Sequence, residues 1–212
     1  MARRKRGYYP IQFDVAGRKC VVAGGGKVAA RKAKGLLDAG ARVVVVSPDG
    51  AAGLREHTDL RVIRRRFRAS DLRGAALAIA ATDDEDVNRR VSAAARKLHI
   101  PVNVVDRPEL CSFIVPAVLR RGRLAVAVST EGASPMLAAR LRKELEQQYG
   151  AEYADFLDVL AEMRPQVRAR VADPARRKAL FGKMSSPAML AVLRRKGKRV
   201  LRAALRKAIA DG

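Results

Sequence analysis

Asp106 is the residue whose position most invites chemistry. It follows Pro101-Val102-Asn103-Val104-Val105, a run that reads as a buried strand, so the carboxylate stands at a strand's carboxyl end. In open α/β sheets, ligands bind outside those ends. A carboxylate there can act as a base, hold a cation, or simply start the Asp106-Arg107-Pro108 turn. The second candidate is Gly24-x-Gly26-x-x-Ala29, the dinucleotide-binding fingerprint in its GxGxxA form. Gly24 permits a tight turn, Gly26 leaves room for a pyrophosphate, and small Ala29 lets helix and strand pack closely. The N–H groups of the helix that follows face the anion. The alternative is a glycine-rich turn that binds nothing. His57 and His99 are far apart in sequence, and no His/Cys cluster offers a metal site.

These groups need elements to position them. A β-branched run from Lys19 leads into the glycines, and Val28, Ala29, Lys32, Ala33, Leu36 and Leu37 carry helical spacing up to Gly40. Arg42 to Val46 is a second strand, which completes a βαβ unit. It ends in Ser47, where an acid usually holds the ribose hydroxyls; Asp49 can substitute. No Arg immediately follows, which favours NAD over NADP. Ser47-Pro48-Asp49-Gly50 also reads as a plain turn. Leu60 to Ile63 and Leu77 to Ala81 are further strands. Thr82 and Glu85 have capping-box spacing ahead of a helix marked by Val87, Val91, Ala94 and Leu98.

The βα alternation then stops. Phe113 to Leu119 and Leu124 to Thr130 read as a hairpin, with Pro116 at an edge or bulge. Two strands alone are marginal, and pairing with a second subunit is a natural solution. Ser134-Pro135 starts a helix with a stripe of Leu137, Leu141, Leu145 and Tyr149. A second stripe is Tyr153, Phe156, Leu157, Leu160 and Ala161, and both read as core. Pro165 interrupts this helix or begins the next. Helices follow Pro174 and Pro187; the last carries Leu190, Leu193, Leu201, Leu205 and Ile209 on one face. The expected fold class is α/β: a Rossmann-like parallel sheet domain (1–112), a small α+β dimerisation domain (113–150) and a basic C-terminal helical domain (151–212).

The 212 residues are 49% hydrophobic and carry a formal charge of +23. Such a field attracts polyanions, whether nucleic acid or a small substrate with many carboxylates; it can also reflect helices solvated by Arg. With 4% aromatics and no Trp, there is little material for base stacking. No apolar run is long enough for a membrane span. The Arg3-Arg4-Lys5-Arg6 cluster lacks the apolar segment of a secretory signal. Two cysteines, Cys20 and Cys111, make no disulfide framework, so a reducing cytoplasm is expected.

Taken together, Val22–Lys32, Ala80–Asp84, Asn103–Asp106, Cys111–Ala117 and Val126–Pro135 give the chain a resemblance to the precorrin-2 dehydrogenase / sirohydrochlorin ferrochelatase family of sirohaem and cobalamin synthesis. The resemblance covers roughly residues 9–150; 151–212 match only as a helical tail. It implies a stand-alone homodimeric enzyme that oxidises precorrin-2 to sirohydrochlorin with NAD. Some members of the family also insert iron or cobalt. It makes Asp106 the essential aspartate. It assigns nucleotide contacts to the turn around Gly25, Gly26, Lys27 and Val28 and to Pro48 and Asp49; Gly24 and Thr82 complete the expected cofactor-binding set. Asn103, Ser129, Thr130 and Ser134 are candidate contacts for the tetrapyrrole, which is expected between the sheet rim and the helical domain; the alternative for the three hydroxyls is capping the helix at Pro135. No dedicated metal site, membrane or nucleic acid is expected. The chain departs from the family at the hairpin turn, where Arg120-Arg121-Gly122-Arg123 stands in place of Asp-Arg-Ser-Pro. Two rival readings are a bifunctional dehydrogenase and chelatase, and a basic dinucleotide-sensing protein that binds nucleic acid.

Overall fold

A computed structural model describes residues 7–51, 53–54 and 56–210. The Arg3–Arg6 cluster lies outside them. The chain divides into two compact units at Val115/Pro116.

In the first unit, β1 (Lys19–Ala23), β2 (Arg42–Val46), β3 (Leu60–Ile63), β4 (Leu77–Ala80) and β5 (Val102–Val104) form one parallel sheet of order β3-β2-β1-β4-β5. Two helices cover it: α1 (Lys27–Asp38) after β1 and α2 (Glu85–Lys97) after β4. Alternate residues of each strand feed opposite cores. Cys20, Val22, Val43, Val45, Leu77 and Ile79 pack with Ala29 and Ala33 of α1. Val21, Ala23, Ala78, Ala80, Val102 and Val104 pack with Val91 and Ala95 of α2. Strands buried on both faces explain the near-continuous Val, Ile and Ala runs. Gly40, at φ 80, ends α1 by donating to Leu37 O.

Two local expectations change. The N-cap of α2 is Asp84, not Thr82. Asp84 Oδ1 accepts from Asp86 N and Val87 N, while the Thr82 hydroxyl donates to Asp84 O. The fifth strand also ends at Val104, and Asp106 sits in a turn at φ 59.

In the second unit, β6 (Ala117–Arg121) and β7 (Leu124–Val128) pair antiparallel around Gly122-Arg123. Gly122 has φ 54 and Arg123 does not join the positive-φ residues, the pattern of a type II′ turn. α3 (Pro135–Gln148) packs on this hairpin. α4 (Glu152–Arg170), α5 (Pro174–Met184) and α6 (Pro187–Ala210) build a helical core. Pro165 neither interrupts α4 nor begins a helix; it lies inside one. α6 breaks at Gly197, where φ is 76 and ψ 175. All five apolar residues expected on one face of α6 are buried.

The other stripes need correction. The core positions of α4 are Phe156, Val159, Met163 and Val167, a stripe rotated from the one expected. On α3 only Ala138 is buried; Leu141, Leu145 and Tyr149 are half-buried and Leu137 is 37% exposed. A two-stranded hairpin is too small to cover that face.

Candidate active site

The carboxyl ends of the strands set the site. Backbone bonds link them in sequence: Gly24 N donates to Val46 O, Ala81 N to Ala23 O, and Val105 N to Ala80 O. The residues that leave β1, β2, β4 and β5 therefore share one rim. Gly24–Val28, Pro48, Asp49, Thr82 and Asp106 all fall on it or one turn beyond.

The three glycines differ in role. A Cβ on Gly24 would lie 2.1 Å from Ala81 O, on a backbone with φ 118. One on Gly25 would lie 1.9 Å from Gly50 O and 2.6 Å from Ser47 Oγ. Both positions are glycine because protein fills the space. A Cβ on Gly26 would meet nothing within 4 Å, and its φ of −75 suits any residue. Only the Gly26 side of the turn is open to a ligand. Gly26 is also the N-cap of α1, with no side-chain cap and no acid in the first turn. By contrast, Asp84, Ser134 and Asp173 cap α2, α3 and α5. The first amides of α1 thus remain available to an anion, and the helix dipole adds to their pull. The residues fit a dinucleotide pyrophosphate. Thr82 lies beside them, its Cγ2 3.2 Å from the Cβ that Gly24 lacks. Pro48 and Asp49 are exposed on the turn after β2.

Asp106 is exposed and left-handed in backbone, a conformation that costs about 1–3 kcal/mol and that Asp tolerates better than most residues. Its loop is tied down on both sides. Cys111 Sγ accepts from Val104 N at 3.1 Å and lies 3.2 Å from Val104 O and 3.3 Å from Arg107 O. Arg107 also pairs with Glu85 at the start of α2. Burial pushes the Cys111 thiol above its ordinary pKa, so it stays protonated as a structural donor. Lys32, half-buried on α1, is held below its ordinary pKa by burial first and Arg31 second; Asp106 and Cys111 act on it in the opposite sense. A cation therefore stands near the candidate base.

Other expected site residues are placed differently. Asn103 is 8% exposed, and its amide donates to Phe113 O at 3.1 Å. Being mid-strand, it ties β5 to the segment that follows and leaves the substrate set. Ser129, Thr130 and Ser134 belong to the second unit. Their hydroxyl oxygens accept from Glu131 N, Ser134 N and Leu137 N respectively, so they shape the loop ahead of α3. Their own O–H protons remain available to a ligand. Among the described residues no group of three or more His, Cys, Asp or Glu side chains could hold a metal ion, and no helix is long and apolar enough to cross a membrane.

Cys111, Lys32 and the Glu85–Arg107 pair were not assigned roles from sequence. Cys111 carried the only signal, as a lone thiol in a motif close after Asp106.

A family model described as putative NAD(P)-binding matches residues 11–117, half of the chain. The chain belongs to this NAD(P)-binding family. A second model, sirohaem biosynthesis protein central, matches residues 121–148, which are the hairpin end and α3. Siroheme synthases of Nitrosomonas eutropha and Nitrosospira multiformis are 44% and 45% identical over 181 residues, covering 84% and 82% of this chain. The chain spans 38% of their length. A solved structure, SirC, precorrin-2 dehydrogenase, is 27% identical with a TM-score of 0.70; the match covers 94% of this chain and 100% of that one.

Proposed function

We propose that the chain is an NAD-dependent precorrin-2 dehydrogenase that forms sirohydrochlorin. The observation that carries this reading is Asp106, held in a strained, clamped turn on the same sheet rim as an open, uncapped glycine turn. The end-to-end likeness to SirC supports it.

The oxidation removes a hydride and a proton from the macrocycle. A bound nicotinamide supplies the hydride acceptor. The protein's own part is binding, orientation and the proton. Gly26 and the first amides of α1 would hold the pyrophosphate, with Gly24, Gly25, Lys27 and Val28 shaping that turn and Thr82 beside it. Pro48 and Asp49 would hold the adenosine ribose. A carboxylate Oδ of Asp106 takes the proton, and Cys111 with the Glu85–Arg107 pair keeps the loop in place. The charge of +23 draws in a macrocycle with many carboxylates.

The chain works as a homodimer through the hairpin and α3. The half-covered leucine stripe of α3, with Met136 83% and Val118 40% exposed, supports this. The free, buried Cys20 and Cys111 suit a reducing cytoplasm.

The test mixes purified chain, NAD and precorrin-2 without oxygen. NADH and sirohydrochlorin should form one for one. Tight NAD binding without turnover would refute the assigned substrate.

A further inference from the structure

We propose that Arg64 is a 2′-phosphate contact, so that the site accepts NADP as well as NAD; this rests on the dinucleotide reading above. The residue leaving β2 is Ser47, 4% exposed, so the position that usually carries the ribose-binding acid holds a hydroxyl instead. β3 pairs with β2 in a register that sets Ile63 against Val46, and Ser47 N donates to Ile63 O at 3.1 Å. Arg64 is therefore level with Ser47 on the neighbouring strand.

Two close approaches connect the glycine turn to Arg64. The Cβ that Gly25 lacks would lie 1.9 Å from Gly50 O. The Cβ that Gly50 lacks would lie 2.7 Å from Arg64 Nη1, 2.9 Å from Cζ and 3.3 Å from Nη2, on a backbone with φ 80. Position 50 needs glycine for its φ of 80, and the Arg64 guanidinium packs against it. The guanidinium therefore stands beside the turn after β2, the turn that carries the ribose-binding residue in this fold. Arg64 is exposed, and among the described residues no carboxylate pairs with it; its neighbour Arg65 is the one taken by Asp71. A planar guanidinium with free donors matches a phosphate bidentately. Asp49, exposed on the same turn, remains to serve the ribose hydroxyls of NAD.

Isothermal titration of the purified chain with NAD and NADP, repeated on Arg64→Ala and Arg64→Lys, tests this. NADP should bind the parent protein, with an affinity that falls as salt rises. In Arg64→Ala the NADP-to-NAD affinity ratio should fall about tenfold or more, the loss of a charge-assisted contact, and Arg64→Lys should restore part of it. An unchanged ratio in Arg64→Ala, or a parent protein that binds NAD and not NADP, overturns the proposal. A parent protein that binds neither overturns the dinucleotide reading itself.

Discussion

Alanine placed in turn at Gly24, Gly25 and Gly26 should separate folding from binding. At Gly25 the new Cβ would sit 1.9 Å from Gly50 O, about 1.5 Å short of the 3.4 Å at which ordinary contact begins. Both partners are backbone, so the glycine turn or the Ser47–Gly50 turn must move. At Gly24 the overlap with Ala81 O is similar, and φ 118 adds strain. Each substitution should destabilise the first unit by about 3 kcal/mol or more. In a chain of this size that is a fall of roughly 6–12 °C in melting temperature. Gly26→Ala meets nothing within 4 Å at φ −75, so stability should stay within about 1 kcal/mol of the parent. Its methyl group would occupy the approach to the α1 amides, and NAD affinity should fall at least tenfold. Thermal melts by circular dichroism and calorimetric NAD titrations read the two effects. Parental NAD affinity in Gly26→Ala, or parental melting of Gly25→Ala, would refute the division of roles.

Asp106→Asn keeps a residue that tolerates φ 59 and removes the proposed base, so turnover should drop about 10²–10⁴-fold with little change in melting temperature. The same variant removes a charge that raises the Lys32 pKa, so the Lys32 ammonium should titrate lower still, measurable by NMR of the labelled side chain. Asp71 is buried and receives Arg65 and the Arg68 amide, which hold its carboxyl below the ordinary range. Its stabilisation is therefore full above the unfolded value of about 3.9 and lost as pH falls through the lower folded value. Accordingly, Asp71→Asn should lower the melting temperature more at pH 7 than at pH 3, read by thermal melts at the two values. Cys20, pushed up to about 11 by burial, and Cys111, also raised, should resist thiol reagents until the chain is unfolded.

Most of the sheet was legible in the sequence because β1, β2, β4 and β5 are largely buried and read as apolar runs with clear turns between them; the edge strand β3, with Arg61 and Val62 exposed, gave the weakest pattern. Of the fingerprint Gly24-x-Gly26-x-x-Ala29, backbone sterics dictate Gly24, whereas Gly26 is sterically open and the glycine required at the unspecified position, Gly25, answers to Gly50 O across the turn. What sequence could not reach depends on neighbours across strands. Arg64 lies seventeen positions after Ser47, and only the β2–β3 register makes it a partner of that turn. Asn103 reads as a polar residue beside a catalytic motif, yet mid-strand burial gives it to Phe113 O. The α3 stripe reads as core because periodicity reports an apolar face, not whether this chain alone covers it.

The central claim is that Asp106 moves the proton while a dinucleotide on the Gly26 turn takes the hydride. Single-turnover mixing of precorrin-2 with NAD-saturated parent and Asp106→Asn protein tests it most directly. Rapid stoichiometric NADH is expected in the parent and a burst slowed at least a hundredfold in the variant, with NAD affinity intact. Equal rates in the two proteins would contradict it.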